Sequence, residues 1–141
     1  MTIKESIVIN SSMEKVWETF TDLARWADWN TVMRDVCAEE EVLSEGSALK
    51  CSFCPFLFPV EMFITIESVV PRERIVWSSK KSGLSARHAF VFVRDERGVL
   101  VISEETFTGF ITRALGFQLA VKRIRGLTKH FLQDLKKASE R

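Results

Sequence analysis

The sequence contains no tyrosine, although it has 11 Phe and 4 Trp among its 141 residues. This absence excludes chemistry based on a phenolic hydroxyl and leaves the aromatic residues almost wholly apolar, as in a hydrophobic core or an apolar cavity. The sequence also lacks the ~20 consecutive apolar residues that a membrane-spanning helix needs. Its longest apolar run, Cys54 to Val60, is interrupted by Pro55 and ends just after Pro59. We therefore expect no membrane span.

Cysteine is scarce and odd in number, with only Cys37, Cys51 and Cys54 present. The first twelve residues have no long apolar core, so we expect no signal peptide and a reducing, cytoplasmic location. Cys51 and Cys54 have CxxC spacing, but they fall in a predicted strand, where residues three apart point to opposite faces. We therefore expect two separately packed cysteines rather than a zinc or redox site.

Familiar catalytic motifs are absent: there is no GxSxG, no HExxH and no Gly-rich phosphate loop. We expect no nucleophile of the hydrolase type, no metal and no cofactor. The net charge of +1 gives no reason to expect nucleic-acid binding. From Thr112 onward, however, eight Lys or Arg stand against Asp134 and Glu140, a local net charge of +6. This basic face could contact an acidic partner, although a solvated helix surface is the commoner explanation.

A long amphipathic helix is predicted from about Arg113 to Lys137. At 100° per residue its apolar side chains fall within an arc of roughly 140°. This stripe consists of Phe117, Ala120, Val121, Ile124, Leu127, Thr128, Phe131, Leu132 and Leu135. Leu115 and Leu119 lie on the other side, so the first half of the helix is apolar nearly all round. They need cover from a loop, from a second subunit in a homodimer, or from a ligand entrance.

The rest of the chain is predicted to be mainly β-strand. A first strand at Ser6 to Asn10 is followed by two short helices, which begin near Ser12 and Asp22 and are expected to support the sheet rather than form a core. Six strands with short connections then lie between Thr31 and Phe107, the first of them from Val32 to Val42. A curved antiparallel sheet around the apolar stripe is the economical arrangement. The length suits a single domain, residues 1–141.

Local sequence features resemble one known superfamily. They are the alternation at Ile7 and Ile9, Met13 to Trp17, Asp22, Trp26 to Trp29, Gly46, the segment Val69 to Trp77, His88 to Phe92, and Glu105 to Gly109. In these features the sequence resembles the START-like (SRPBCC) superfamily, also called the polyketide cyclase/dehydrase and lipid-transport group. The resemblance implies an α+β helix-grip fold, in which a seven-stranded antiparallel sheet bends around the C-terminal helix and encloses an apolar cavity. It does not imply one reaction, because the superfamily includes carriers, receptors and enzymes.

Two ionisable residues are candidates for the site. His88 shares its strand parity with Phe90 and Phe92, and Glu105 shares its parity with Phe107 on the next predicted strand. If the two faces coincide, both side chains line the cavity, where a histidine can act as acid or base. The alternative is a histidine hydrogen-bonded to the sheet or exposed at its edge, and a glutamate in a salt bridge.

The remaining candidates for a cavity lining are apolar. On the sheet and the short helices they are Trp26, Trp29, Phe53, Phe58, Met62, Ile64, Trp77, Phe90, Phe92 and Phe107, and on the long helix they are Phe117, Val121 and Ile124. The same residues could instead pack on one another as an ordinary core.

Three hypotheses for the function follow from these observations. The first is binding, and possible transport, of a small hydrophobic molecule such as a lipid, isoprenoid or aromatic polyketide in a cavity of ~300 Å³ or more. The second is a polyketide cyclase or dehydratase that uses His88 and Glu105. The third is a protein-interaction module that acts through the C-terminal helix.

Overall fold

The computed structural model describes all residues from Met1 to Arg141. Seven strands form one antiparallel sheet in the order β1-β7-β6-β5-β4-β3-β2. The strands are β1 (Thr2–Ile9), β2 (Arg34–Ala38), β3 (Ala48–Phe53), β4 (Val60–Val70), β5 (Arg74–Lys81), β6 (Leu84–Asp95) and β7 (Gly98–Thr108). The helices are α1 (Met13–Thr21), α2 (Trp26–Trp29) and α3 (Leu115–Ser139). The predicted α+β helix-grip class is confirmed.

Several element boundaries differ from the prediction. β1 begins at Thr2 and ends at Ile9 rather than running from Ser6 to Asn10, because its whole length pairs with β7. β2 has five residues instead of the eleven expected. Its pairing with β3 is irregular even within these five, because the register shifts between Arg34 and Cys37, where Asp35 has a positive φ of 52° that lies outside the β region. α3 begins two residues later than predicted, since Phe110–Arg113 forms a separate 3₁₀ turn and Ala114 is extended.

The main core lies between the sheet, the two short helices and the second half of α3. Phe20 of α1 is fully buried, and its ring contacts Phe90, Phe92 and Phe131. Trp26 of α2 is 1% exposed and packs beside it. The expectation that the short helices only support the sheet was therefore wrong. A few large aromatic side chains let even short helices bury a large apolar area.

A second, smaller core lies under the first half of α3. It is built from Ile3, Phe107 and Phe117, with Val121 and Ile124 packed against it. The two cores divide the concave face of the sheet. One part of that face is filled by α1 and α2, whereas another part, towards β3, β4 and the turn between β5 and β6, is left partly open.

Candidate ligand-binding site

An apolar cavity of about 170 Å³ lies between the sheet and α3 and is partly open to solvent. Thirteen of its eighteen lining residues are hydrophobic. They are Val32, Met33, Phe53, Val60, Met62, Trp77, Leu84, Ala86, Phe90, Phe107, Ile124, Leu127 and Phe131. The other five are Ser79, Lys81, His88, Glu105 and Thr128, of which the exposed Lys81 marks the solvent side.

The cavity is smaller than the ~300 Å³ that small-molecule pockets usually reach. The reason lies in the core, because Trp26, Trp29, Ile64 and Phe92 fill space that was expected to be open. Dry cavities of roughly 150 Å³ nevertheless bind a single aromatic ring. The present cavity therefore has room for one aromatic ring without rearrangement, and its open side lets a larger ligand extend towards solvent.

The polar end of the cavity is built by two neighbouring strands. His88 on β6 and Glu105 on β7 are direct cross-strand partners, so their side chains emerge on the same face. His88 Nδ1 lies 3.6 Å from Glu105 Oε2, and each side chain is 12% exposed. The other ring nitrogen, Nε2, lies 2.6 Å from Ser103 Oγ. This hydrogen bond occupies Nε2, so Nδ1 is the nitrogen on the Glu105 side.

Burial determines the charge of this pair. The imidazole is stacked on Phe90, with ring centroids 4.1 Å apart, and Trp77 contacts its edge. Burial lowers the pKa of His88 to about 3, so the ring is neutral near pH 7. Burial also raises the pKa of Glu105 to about 7, so the carboxyl group is protonated in a large fraction of molecules at that pH. The pair can thus offer both a donor and an acceptor with little net charge.

The order Ser103, His88 and Glu105 resembles a hydrolase triad in its connectivity. Ser103, however, is fully buried and does not line the cavity. β7 also lies between β1 and β6, so the backbone N–H groups around Ser103 are used in the sheet and none is free to stabilise an oxyanion. The arrangement therefore orients His88 and does not supply a nucleophile.

The structure brings eight of the fifteen predicted site residues to the cavity. They are Phe53, Met62, Trp77, His88, Phe90, Glu105, Phe107 and Ile124. Of the others, Trp26, Trp29, Ile64 and Phe92 lie in the main core, and Phe117 and Val121 belong to the second core. Phe58 lies in the loop after β3 and is 74% exposed.

Sequence reasoning missed ten lining residues, which are Val32, Met33, Val60, Ser79, Lys81, Leu84, Ala86, Leu127, Thr128 and Phe131. Some of them carried a usable signal. Leu84 and Ala86 share the parity of His88, and Phe131 lies in the predicted helix stripe. Val32 and Met33 carried none, because they lie in the irregular segment before β2, outside any periodic pattern.

The three cysteines are free and separate. Cys51 is buried on the inward face of β3, where burial raises the pKa of its thiol to about 12. Cys54 is exposed in the following loop, so the expectation that it is packed was wrong. No group of three or more His, Cys, Asp or Glu side chains is close enough to hold a metal ion.

Fold and cavity together define a helix-grip protein with an apolar internal site. Residues 1–140 match the family model described as polyketide cyclase/dehydrase and lipid transport, and the chain belongs to that family. No curated protein matches the chain in sequence. None of its helices is both long enough and apolar enough to cross a bilayer.

Solved structures share the fold at low identity. TTHA0849 from Thermus thermophilus superimposes with a TM-score of 0.81 at 16% identity, covering 99% of this chain and 97% of that chain. The hypothetical protein jhp0584 from Helicobacter pylori gives 0.79 at 14% identity, covering 99% and 88%. The di-domain ARO/CYC BexL of the BE-7585A biosynthetic pathway gives 0.79 at 18% identity, covering 100% of this chain and 50% of BexL. At these identities the likeness establishes the fold alone.

Proposed function

We propose that residues 1–141 act as one domain that binds a small, largely apolar molecule in the cavity between the sheet and α3. The observation that carries the proposal is the composition of the lining, in which thirteen hydrophobic residues surround one buried His–Glu pair. Apolar walls with few, fixed polar groups are typical of small-molecule sites. Family membership supports the same proposal.

The polar end favours a particular ligand chemistry. The hydroxyl of Thr128 already donates to the carbonyl of Ile124 at 3.0 Å, and Lys81 donates to the carbonyl of Glu61 at 3.1 Å. His88, Glu105 and the hydroxyl of Ser79 therefore remain to meet a polar ligand atom. A neutral imidazole beside a partly protonated carboxyl can bond to a hydroxyl or a carbonyl group. A ligand carboxylate would instead face repulsion from ionised Glu105. The ligand we propose is a compact aromatic or alicyclic molecule with one hydroxyl or keto group.

A matched pair of probes tests this proposal. 2-Naphthol and naphthalene share the same ring system, and both can be followed by quenching of tryptophan fluorescence, since Trp77 lines the cavity. We expect 2-naphthol to bind about fivefold more tightly, because one satisfied hydrogen bond contributes about 1 kcal/mol. The preference should shrink in Glu105→Gln, which changes the acceptor capacity of the pair.

A pair of variants tests the location of the probe. Ala86→Leu adds volume inside the cavity, whereas Ala89→Leu makes the same change three residues along β6, on the opposite face of the sheet. We expect Ala86→Leu to weaken 2-naphthol binding about tenfold or more and Ala89→Leu to leave it unchanged. Equal effects of the two variants would refute the site.

A cyclase or dehydratase is the second candidate, and one observation favours it: both ionisable groups reach the same cavity. Glu105 has a pKa suited to proton transfer near neutral pH. His88 does not, because an imidazole with a pKa of about 3 is a weak base. A test is the intramolecular aldol condensation of 2,5-hexanedione to 3-methylcyclopent-2-enone with loss of water. Turnover by the protein that Glu105→Gln abolishes would favour the enzyme, and absence of turnover would count against it.

The proposed setting is the cytoplasm. Cys37 and Cys54 are exposed thiols without a disulfide partner, which suits a reducing compartment.

A further inference from the structure

Two exposed apolar patches flank the mouth of the cavity. The first is the loop between β3 and β4, where Leu57 is 88% exposed and Phe58 is 74% exposed. Phe53 and Val60, which stand at the two ends of this loop, both line the cavity. The loop therefore forms one lip of the mouth.

The second patch lies at the start of α3. Phe110, Leu115 and Leu119 are 72%, 90% and 68% exposed. Phe110 covers Gly83 in the turn between β5 and β6, so closely that a Cβ atom at Gly83 would lie 2.4 Å from its ring. Leu84 of that turn lines the cavity, as do residues of the next turns of α3. The second patch is thus a second lip of the mouth, next to Leu84.

The segments that surround the mouth are rich in basic residues, although Glu61 and Asp134 directly follow two of them. The three segments of this rim are residues 54–60, 79–88 and 108–133, and none of the 19 acidic residues of the chain lies in them. Eight Lys or Arg do, although the whole chain carries a net charge of only +1. Arg87 and Arg125 are paired with Glu67 and Glu5. The six others have exposed side chains and no ion-pair partner: Lys80, Lys81, Arg113, Lys122, Arg123 and Lys129.

We propose that the mouth of the cavity docks on an anionic lipid surface. In this arrangement Leu57, Phe58, Leu115 and Leu119 enter the interfacial layer, while the unpaired cations meet the lipid headgroups. Docking would let an apolar ligand pass between the bilayer and the cavity without crossing water, and this consequence rests on the function proposed above. The docking itself does not depend on that function.

Charge favours a lipid surface over a second copy of the chain. A twofold dimer would place the same patch of each copy against the other. The six unpaired cations of one rim would then face the six of its partner, which disfavours the contact. An anionic bilayer instead complements both the apolar and the basic part of the rim.

Flotation with vesicles tests the proposal. The full chain is mixed with vesicles of phosphatidylcholine alone, or of phosphatidylcholine with phosphatidylserine, and the fraction that floats is measured. We expect binding to the anionic vesicles to be about tenfold stronger at low salt and to fall as salt screens the charges. Leu115→Ser with Leu119→Ser should reduce it about tenfold or more, as should Lys122→Glu with Arg123→Glu.

Phe63→Ser is the matched control, because Phe63 is 64% exposed but lies on β4 with its side chain on the convex face. It should bind the vesicles as the unchanged protein does. Circular dichroism and 2-naphthol binding in solution should be unchanged in all variants, which shows that fold and cavity are intact. If the unchanged protein floats with anionic vesicles but does not bind 2-naphthol, the proposed ligand-binding function is refuted and the proposed docking surface is still supported.

Three results would overturn the proposal. The first is no flotation with either kind of vesicle, and the second is an equal loss of binding in Phe63→Ser. The third is a dimer in analytical ultracentrifugation that dissociates in the Leu115 and Leu119 variant while vesicles remain unbound. That third result would assign the patch to a homodimer interface instead.

Discussion

His88 and Glu105 lie directly opposite each other on β6 and β7, with Nδ1 3.6 Å from Oε2. In water such a pair would be an imidazolium and a carboxylate between about pH 4.5 and pH 6.5. In this cavity burial favours the uncharged form of each, lowering the pKa of His88 and raising the pKa of Glu105. The two groups therefore oppose each other in the pH dependence of stability, although both shifts have the same physical cause.

Replacing Glu105 by Gln should separate these two contributions. With a folded pKa of about 7 against 4.5, native Glu105 keeps a proton that the unfolded chain has released, so it lowers stability as pH rises from 4.5 to 7. The His88 contribution has the opposite sign, because it makes stability fall as pH drops from 6.5 towards 3. Since the wild type and Glu105→Gln share His88, this contribution cancels in their difference. In urea unfolding, the free energy of unfolding of Glu105→Gln should rise relative to that of the wild type by on the order of 3 kcal/mol between pH 4.5 and pH 8.

Glu104→Gln provides the control for this experiment. Glu104 precedes Glu105 on β7, and its side chain is exposed on the other face of the sheet. Its stability difference from the wild type should stay nearly constant over the same pH range. A flat difference for Glu105→Gln as well would contradict the buried, protonated carboxyl group.

Two buried tryptophans should respond differently to the same substitution. The indole Nε1 of Trp26 donates to the carbonyl of Phe20 at 2.8 Å, whereas the buried Nε1 of Trp29 has no partner. Trp26→Phe leaves a buried acceptor unsatisfied and should cost about 1–3 kcal/mol more than Trp29→Phe, which removes an unpaired donor. The lost ring volume is the same in both variants. Equal midpoint shifts in urea unfolding would argue against this hydrogen-bond assignment.

The fold was predictable because its signals are local. Alternation along β4 and the stripe of α3 each depend on residues close in sequence, so periodicity reveals which side faces inward. Parity likewise placed His88 and Glu105 on inward faces of adjacent strands. It did not supply the β6–β7 register that makes them direct partners, because register depends on the turn at Gly98 and on packing across the sheet.

The extent of the cavity was not predictable in the same way. Phe90 and Phe92 have the same parity, yet Phe90 lines the cavity while Phe92 is covered by Trp17 and Phe20 from α1. That difference depends on where α1 rests on the sheet, which is a contact between distant segments. Parity separates inward from outward residues, but it does not separate a filled part of the concave face from an open one.

Thiol reactivity should divide the cysteines into two classes. Cys37 and Cys54 are exposed, whereas Cys51 is buried and burial raises its pKa to about 12. Because the thiolate is the reactive form, Ellman's reagent should modify two thiols of the native protein and a third only after unfolding. In Cys51→Ala the reagent should still modify two thiols in the native protein, and it should modify only two, not three, after unfolding. Fast modification of all three thiols in the native wild type would contradict the burial of Cys51.

Two glycines with positive φ should differ sharply when changed to alanine. Gly46 has φ of 84° and open space where a Cβ atom would lie, so Gly46→Ala should cost only the ~1–2 kcal/mol of the left-handed conformation. Gly98, with φ of 136°, would place a Cβ atom 2.1 Å from the backbone oxygen of Ile9. The end of β1 must then move, and we expect Gly98→Ala to cost at least ~2 kcal/mol more than Gly46→Ala. Guanidinium unfolding of the two variants measures the difference, and equal midpoints would show that β1 and the β6–β7 turn are less closely packed than described.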